Sequence, residues 1–135
     1  MGNNAVAPRQ PHTHQVPYMR ATVAYNTLNI GTAGKVPLGT LPAGAIVTHA
    51  IVKVTAAFNA ATTNVLTVGT AASADAVLAA ADIDETVVQT TLTFAAAGYK
   101  VSVATPLFIT YTQSGTAASA GAADIILFFV PDNDR

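Results

Sequence analysis

The sequence predicts an all-β protein: an antiparallel β-sandwich of the jelly-roll type, with one short helix in a loop and an extended N-terminal arm. Turn-forming residues recur roughly every eight to twelve residues, and threonine and valine dominate the runs between them, which is typical of sandwiches and jelly rolls. Apolar and polar residues alternate throughout residues 45–58. The 135 residues are enough for one domain. We expect an arm over residues 1–18 and a single sandwich domain over residues 19–135.

The N-terminal third predicts the arm, one strand and an irregular connection. Residues 1–18 hold three prolines and no periodicity, which indicates an extended segment. Residues 19–26 alternate well enough for a first strand. Its inner face is predicted to carry Ala21, Val23 and Tyr25. Four glycines and two prolines follow in residues 30–44, which predicts a winding connection.

Residues 45–58 predict a long, half-buried antiparallel strand, because the alternation places every second residue on the core face. That face is predicted to carry Ile46, Thr48, Ala50, Val52, Val54, Ala56 and Phe58. The opposite face includes His49, Lys53 and Thr55. A polar turn follows, and residues 65–69 are predicted to pair back as a short strand.

The stretch LTVGTAASADAVLAAADID, from Leu66 to Asp84, looks at first like the phosphate-binding turn of a dinucleotide fold. That turn needs three glycines at set spacing, but only Gly69 is present. The neighbouring strands also alternate, whereas covered strands of a parallel sheet are continuously apolar. The stretch therefore predicts a loop with a short helix over Ser73–Ala81, capped by Ser73. Val77, Leu78 and Ala81 would close one end of the sandwich.

The C-terminal third predicts further strands over residues 86–94, 99–103 and 107–113, and a closing hairpin into residues 122–131. In the first of these the alternation assigns Val88, Leu92 and Phe94 to the core. The opposite side would carry Gln89, Thr91 and Thr93.

The last strand is apolar on both faces, because Ile125, Leu127 and Phe129 point one way and the residues between them point the other. Both faces should therefore be covered. Either the arm or a loop packs over the outer side of a central strand, or the outer side is a subunit interface. The candidate interface residues are Ile126, Phe128, Val130, His49 and Lys53.

The composition excludes several classes of function. Charged residues are only 10% of the chain, against about 25% in ordinary soluble domains, which favours assembly with a partner. The net charge of −1 and six scattered basic residues give no footprint for nucleic acid. Cysteine is absent, and no apolar run approaches the roughly 20 residues of a membrane span. No signal-peptide pattern is expected at the N-terminus.

Few residues offer catalytic or metal-binding chemistry. His12 and His14 could form half of a metal site on an extended segment, but no third ligand is evident. Asp82, Asp84 and Glu85 form an acidic cluster without the pattern of a calcium loop, and a solvated loop is the simpler interpretation. No nucleophile elbow or facing pair of carboxylates occurs. We therefore expect neither an enzyme nor a cofactor or metal.

A family resemblance covers residues 41–130. The stretch LPAGAIVTHAIVKVTAAFNAATTNVLTVGTAASADAVLAAADID and the closing YTQSGTAASAGAADIILFFV resemble small tailed-bacteriophage virion proteins. In these proteins an LPAGAxV turn leads into a long strand, then AFN, LTVGT and a short DAxLAAADID helix. The arm lies outside this match.

The resemblance implies a capsid decoration or cement protein, made in the host cytoplasm and located on the capsid surface. Such a protein would stabilise the shell by bridging neighbouring major capsid subunits. Its expected partners are the major capsid protein and itself, as a homodimer or homotrimer, without nucleic acid or membrane. One alternative is a head-fibre or tail-associated module that binds a host receptor or glycan. Another is a small sandwich enzyme or sugar-binding domain.

Overall fold

The computed structural model describes residues 17–27, 34–94 and 98–132. Seven antiparallel strands form two sheets, and the only helical element among the described residues is one 3-10 turn, Ala80–Asp82. The strands are β1 (Tyr18–Ala24), β2 (Gly34–Leu41), β3 (Ile46–Ala56), β4 (Thr63–Gly69), β5 (Gln89–Thr93), β6 (Thr105–Ser114) and β7 (Ala122–Val130). The prediction of an all-β antiparallel sandwich is confirmed. Of the predicted arm, only its last two residues are described, so its separation from the sandwich stays a prediction.

Odd-numbered and even-numbered strands lie in different sheets. The four-stranded sheet has the order β1-β7-β3-β5, and the three-stranded sheet has the order β2-β6-β4. The pairs are nested: β1 with β7 encloses β2 with β6, which encloses β3 with β5, and innermost a single bridge joins Val68 of β4 to Leu78. A long hairpin rolled up in this way is a jelly roll, here with its eighth strand reduced to that bridge.

Two predicted hairpins are wrong. The turns predict that β4 pairs back on β3 and that β6 and β7 form the closing hairpin, but each time the two strands lie in different sheets. β3 pairs instead with β5 and β7, and β6 pairs with β2 and β4. A turn signal shows that the chain reverses, but it does not show which sheet receives the next strand.

The core lies between the two sheets and is centred on Tyr111 of β6, which is fully buried. Its ring lies 4.7 Å from that of Phe58, centroid to centroid, and its hydroxyl donates a 2.8 Å hydrogen bond to Oδ1 of Asn64. Other fully buried side chains are Val23, Leu41, Val47, Val52, Leu66, Val68, Leu78, Leu107, Ile109, Ile125 and Leu127. Because its single polar atom has a partner, the largest core residue can be buried at little cost.

The predicted winding connection is in part a strand. β2 contains Pro37, which cannot donate to a ladder, and its register with β6 shifts between Pro37 and Gly39. Proline and bulges of this kind are tolerated at the edge of a sheet, and β2 is an edge strand. Glycine and proline therefore conceal this strand in the sequence.

The predicted core face of β3 holds in its middle and fails at its start. Ala50, Val52 and Val54 are buried as expected, but Ile46 is exposed and Val47 is buried instead. The register with β7 shifts between Val47 and His49. One extra residue in a strand reverses which side chains face the core, so the alternation changes phase there.

The predicted faces of β5 are inverted. Val88, Leu92 and Phe94 are 62%, 57% and 70% exposed, whereas Thr93 is buried. Thr93 lies opposite Ala50 of β3, which faces the core, so pairing with β3 forces the threonine inward and its apolar neighbours outward. The register with β3 therefore determines which side chains of β5 face the core, even though it buries a threonine and exposes a leucine.

The loop after β4 is less helical than predicted. Residues 74–77 form turns and bends, and only the Ala80–Asp82 turn is helical, so the helix over Ser73–Ala81 is wrong in extent. A Cβ on Gly69 would lie 2.2 Å from the Ser73 carbonyl oxygen, so the glycine lets the loop fold against the end of β4. Val77 and Leu78 are buried as predicted, whereas Ala81 is exposed.

The predicted strand over residues 99–103 is reduced to a bridge between Lys100 and Ile46. Val47 donates a 2.7 Å backbone hydrogen bond to Tyr99, and Val101 donates one of 3.1 Å to Ala45. The segment thus continues the line of β5 along β3.

Candidate interface on the four-stranded sheet

The outer surface of the four-stranded sheet carries a row of aromatic rings, one from each strand or its end. Tyr18 and Phe128 have ring centroids 6.2 Å apart, and His49 stacks on Phe128 at 4.6 Å with 13° between the planes. Phe94 lies 6.4 Å from His49 on the other side. Antiparallel pairing produces this row, because Tyr18 and His49 both lie opposite Phe128 in the register.

A second row runs parallel to the first and is mainly aliphatic. Ile126 of β7 lies between Arg20 of β1 and Ile51 of β3, and Ile51 lies opposite Leu92 of β5. Val130 continues the same side of β7 and is 55% exposed. We call the apolar and aromatic residues of these two rows, together with Val130, the aromatic face. It comprises Tyr18, His49, Ile51, Leu92, Phe94, Ile126, Phe128 and Val130.

Charged groups border the aromatic face along a third row. Asp124 of β7 is buried, and its carboxylate accepts hydrogen bonds from both Nε and a terminal nitrogen of Arg20. Lys53 of β3 lies opposite Asp124 in the register and is exposed. Because Arg20 and Asp124 neutralise each other in this two-pronged contact, the net positive charge of the border is that of Lys53.

The outer surface of the three-stranded sheet is different in chemistry. Its register pairs bring together threonine, serine and valine: Thr63 with Ser114, Val65 with Thr112, and Thr67 with Thr110. Of these side chains, Thr112 and Ser114 are exposed, whereas Thr67 and Thr110 are buried. The two outer surfaces of the sandwich are thus unlike, and the aromatic one is the candidate for contact with a partner.

All five residues predicted as an interface lie on this side of the four-stranded sheet. Ile126, Phe128 and His49 are half-buried, while Val130 and Lys53 are exposed. β7 is a central strand, as the first interpretation of its doubly apolar pattern states. Whether the five residues form an interface stays a prediction.

Sequence reasoning missed four members of the face. Tyr18 is assigned to the arm, and Leu92 and Phe94 are assigned to the core. Ile51 is not singled out. Only the pairing of β5 with β3 identifies the outward direction of Leu92, so no local signal could have found it.

The acidic cluster of Asp82, Asp84 and Glu85, which begins at the last residue of the 3-10 turn, does not direct its carboxylates toward one common point. Asp82 accepts a hydrogen bond from the amide of Ala79, and Asp84 accepts from the amide and hydroxyl of Thr86. No group of three or more histidine or acidic residues in the described ranges is arranged to hold a metal ion. His12 and His14 lie outside the described residues.

Glu85 is buried, which corrects the prediction of a solvated loop. Its carboxylate accepts hydrogen bonds from the backbone amides of Leu66 and of Glu85 itself, and Oε2 has no partner. Burial raises the pKa of Glu85 above its ordinary value, and the nearby charge of Asp84 raises it further. The pKa of Tyr111 is also raised, by burial and by the charge of Glu85. The carboxylate lies beside β4 where an eighth strand would lie. It accepts the hydrogen bond of the Leu66 amide that such a strand would otherwise accept.

No family model and no curated protein matches the sequence. The fold is similar to that of a chain in the capsid asymmetric unit of cyanophage Pam1, with a TM-score of 0.66 and 22% identity over 97% of this chain and 98% of that chain. It is also similar to a chain in the acid-stable capsid of Helicobacter pylori bacteriophage KHP30, with a TM-score of 0.58 and 19% identity over 88% of this chain and 91% of that chain. The structural similarity establishes a shared fold, and at identities this low it establishes the fold alone. No helix among the described residues has the length and hydropathy needed to cross a membrane.

Proposed function

We propose that this chain is a structural protein of a bacteriophage virion that binds the outer surface of the capsid. There it stabilises the shell by bridging neighbouring major capsid subunits. The likeness to chains of two phage capsids supports this proposal, as does the fact that each match extends over nearly the whole of both chains. A sandwich of this size is thus a separate polypeptide in those structures.

The observation that carries the proposal is the aromatic face. Four strands spaced about 4.8 Å apart, and a few residues of each, give it an area of roughly 300 Å². Apolar patches of a few hundred Å² on a soluble protein commonly mark interaction sites. We assign the face to contact with neighbouring capsid subunits, and we assign no catalytic role to any residue.

A standard protein–protein interface buries about 800 Å² on each partner, so the aromatic face alone is small. A capsid presents many symmetry-related copies of the same surface, and a decoration protein that contacts two of them gains from both contacts. Bridging between subunits is therefore consistent with a modest patch on each copy.

Co-sedimentation with capsids tests the proposal. Purified protein should pellet with expanded capsids that lack it, and a Tyr18→Lys/Val130→Lys variant should lose at least about tenfold in affinity, because two lysines would have to be desolvated at the contact. Tyr18 and Val130 are 60% and 55% exposed, so the variant should fold. Thr112→Lys, on the outer surface of the other sheet, is the matched control and should bind like the wild type. No binding by the wild-type protein, or equal binding by the double variant, would refute the proposal.

One observation favours a second candidate, a head-fibre or tail-associated module that binds a receptor or glycan. Phe94, just after β5, is 70% exposed, and exposed aromatic rings are suited to stacking on the apolar faces of sugars. Binding to host cells by protein that does not bind capsids would support this alternative.

A further inference from the structure

The two sheets have four edges, and three of them are protected. β2 carries Lys35, Pro37 and a register shift, which are common devices against edge pairing. β1 carries the charged Arg20, whose side chain is 59% exposed, and β1 packs against β2, since a Cβ on Gly39 would come within 2.8 Å of the sulfur of Met19. An edge strand with such protection does not recruit another strand.

The free side of β4 is occupied at the backbone of Leu66 and Val68, and near its start the side chain of Asn64 binds a neighbouring loop. The side chain of Asn64 bonds both the amide and the carbonyl of Ala60, the amide of Leu66 bonds the carboxylate of Glu85, and the amide of Val68 bonds the carbonyl of Leu78 at 3.0 Å. These contacts take the place of the missing eighth strand. No further strand is needed there.

β5 is the exception. It pairs with β3 on one side, and among the described residues no strand pairs with its other side. Residues 86–94 (TVVQTTLTF) contain no charged residue, no proline and no glycine. Four of the eight large apolar side chains that are exposed in the described part of the chain lie here: Val87, Val88, Leu92 and Phe94. A flat, uncharged, apolar edge rich in β-formers is the kind that pairs with another chain.

We propose that β5 pairs antiparallel with β5 of a second copy of this chain about a two-fold axis, so that two four-stranded sheets become one sheet of eight strands. The chemistry of the β5 edge indicates that its partner is a second copy of the same strand. A strand edge presents alternating N–H and C=O groups, so two antiparallel copies satisfy each other, and the absence of charge removes the repulsion that like charges would cause across the axis. Pairing centred on Thr91, the middle of β5, gives the longest overlap.

This pairing extends the proposed function, because it explains how one protein could contact two capsid subunits. Its biological role rests on that proposed function. A two-fold axis normal to the sheet places both aromatic faces on the same side of the eight-stranded sheet. The dimer then offers twice the apolar area of one copy, directed at two neighbouring capsid subunits. In that arrangement the dimer bridges two neighbouring capsid subunits.

Light scattering of the purified protein gives the first test. The wild type should have twice the monomer mass of 13.7 kDa. Thr90→Glu, which adds a charge at an exposed site of β5 outside the aromatic face, should weaken dimerisation at least about tenfold. Val103→Lys, at a site that is 66% exposed outside β5, is the matched control and should remain dimeric. A wild-type monomer overturns the inference. So does a trimer, because three copies of one edge cannot pair reciprocally.

Disulfide trapping distinguishes edge pairing from packing of the aromatic faces against each other. The chain has no cysteine, so single cysteines can be placed at Thr90, Thr91 or Leu92, with Ile126→Cys as the comparison. A disulfide requires Cα atoms roughly 4.4–6.8 Å apart, so the position nearest the axis should form a covalent dimer rapidly and Ile126→Cys should not. Cross-linking at Ile126 alone overturns the inference. Capsid binding by the Thr90→Glu monomer is scored separately. Because Thr90 lies outside the aromatic face, the edge and the proposed function can fail independently.

Discussion

Replacing Glu85 by glutamine should stabilise the protein at alkaline pH and leave its stability unchanged at acidic pH. Glutamine has nearly the same shape and keeps an oxygen that can accept from the amide of Leu66, but it carries no charge. The buried carboxylate has one oxygen, Oε2, without a hydrogen-bond partner. A buried acceptor left unpaired costs about 1–3 kcal/mol, and more when it is charged.

The sign of the pH dependence follows from the raised pKa of Glu85. Between its ordinary pKa, near 4.5, and its higher folded-state pKa, the folded protein binds more protons than the unfolded chain. The contribution of Glu85 to stability is therefore fully present below pH 4.5 and is lost as the pH rises through the folded-state pKa. The side-chain nitrogen of the introduced glutamine brings its own smaller cost, so the net gain above that pKa should be about 1 kcal/mol.

Denaturant unfolding at pH 4 and pH 8, at one protein concentration, measures the effect. The free energy of unfolding of Glu85→Gln should equal that of the wild type at pH 4 and exceed it at pH 8. Asp75→Asn is the control, because Asp75 is exposed and is not among the groups that shift the pKa of Glu85, so its replacement should not produce this gain. If Glu85→Gln lowers stability at pH 8, the carboxylate is favourably bound and the reasoning is wrong.

Three further substitutions test the packing, each by denaturant unfolding against the wild type. Gly69→Ala should destabilise by about 2–3 kcal/mol, because its Cβ would lie 2.2 Å from the carbonyl oxygen of Ser73; a neutral result would mean that the loop is free to move. Gly121→Ala should cost at least about 3 kcal/mol, since φ is +144° and the new Cβ would lie 2.3 Å from Cδ1 of Phe58; a loss below about 1 kcal/mol would contradict this. Tyr111→Phe should cost about 1 kcal/mol by removing one buried hydrogen bond, and an unchanged midpoint would show that the hydroxyl contributes nothing.

Local patterns in the sequence are enough to predict the fold class, because alternation and turn chemistry are properties of a few consecutive residues. They place Ala50, Val52 and Val54 in the core correctly. They fail where a distant strand decides the outcome. The phase change at Val47 comes from a bulge against β7, and the inward direction of Thr93 comes from pairing with β3.

The candidate interface could be predicted in part for the same reason. Ile126, Phe128 and Val130 follow from the parity of one strand, and parity is local. Leu92 and Phe94 do not follow, because their alternation is as consistent with a core face as with an exposed one. Only the order β1-β7-β3-β5 makes neighbours of Tyr18 and His49 through Phe128, and strand order is not written in any short segment.

The nested order also governs when the aromatic face can exist. β7 separates β1 from β3 in the sheet and contributes Ile126 and Phe128, yet it is the last of the seven strands to be synthesised. A chain interrupted before β7 cannot join β1 to the rest of its sheet and has no face to present. Closing the outermost pair, β1 with β7, spans far more chain than closing β3 with β5, so the inner pairs are expected to form first. A chain that lacks β7 therefore does not form the aromatic face.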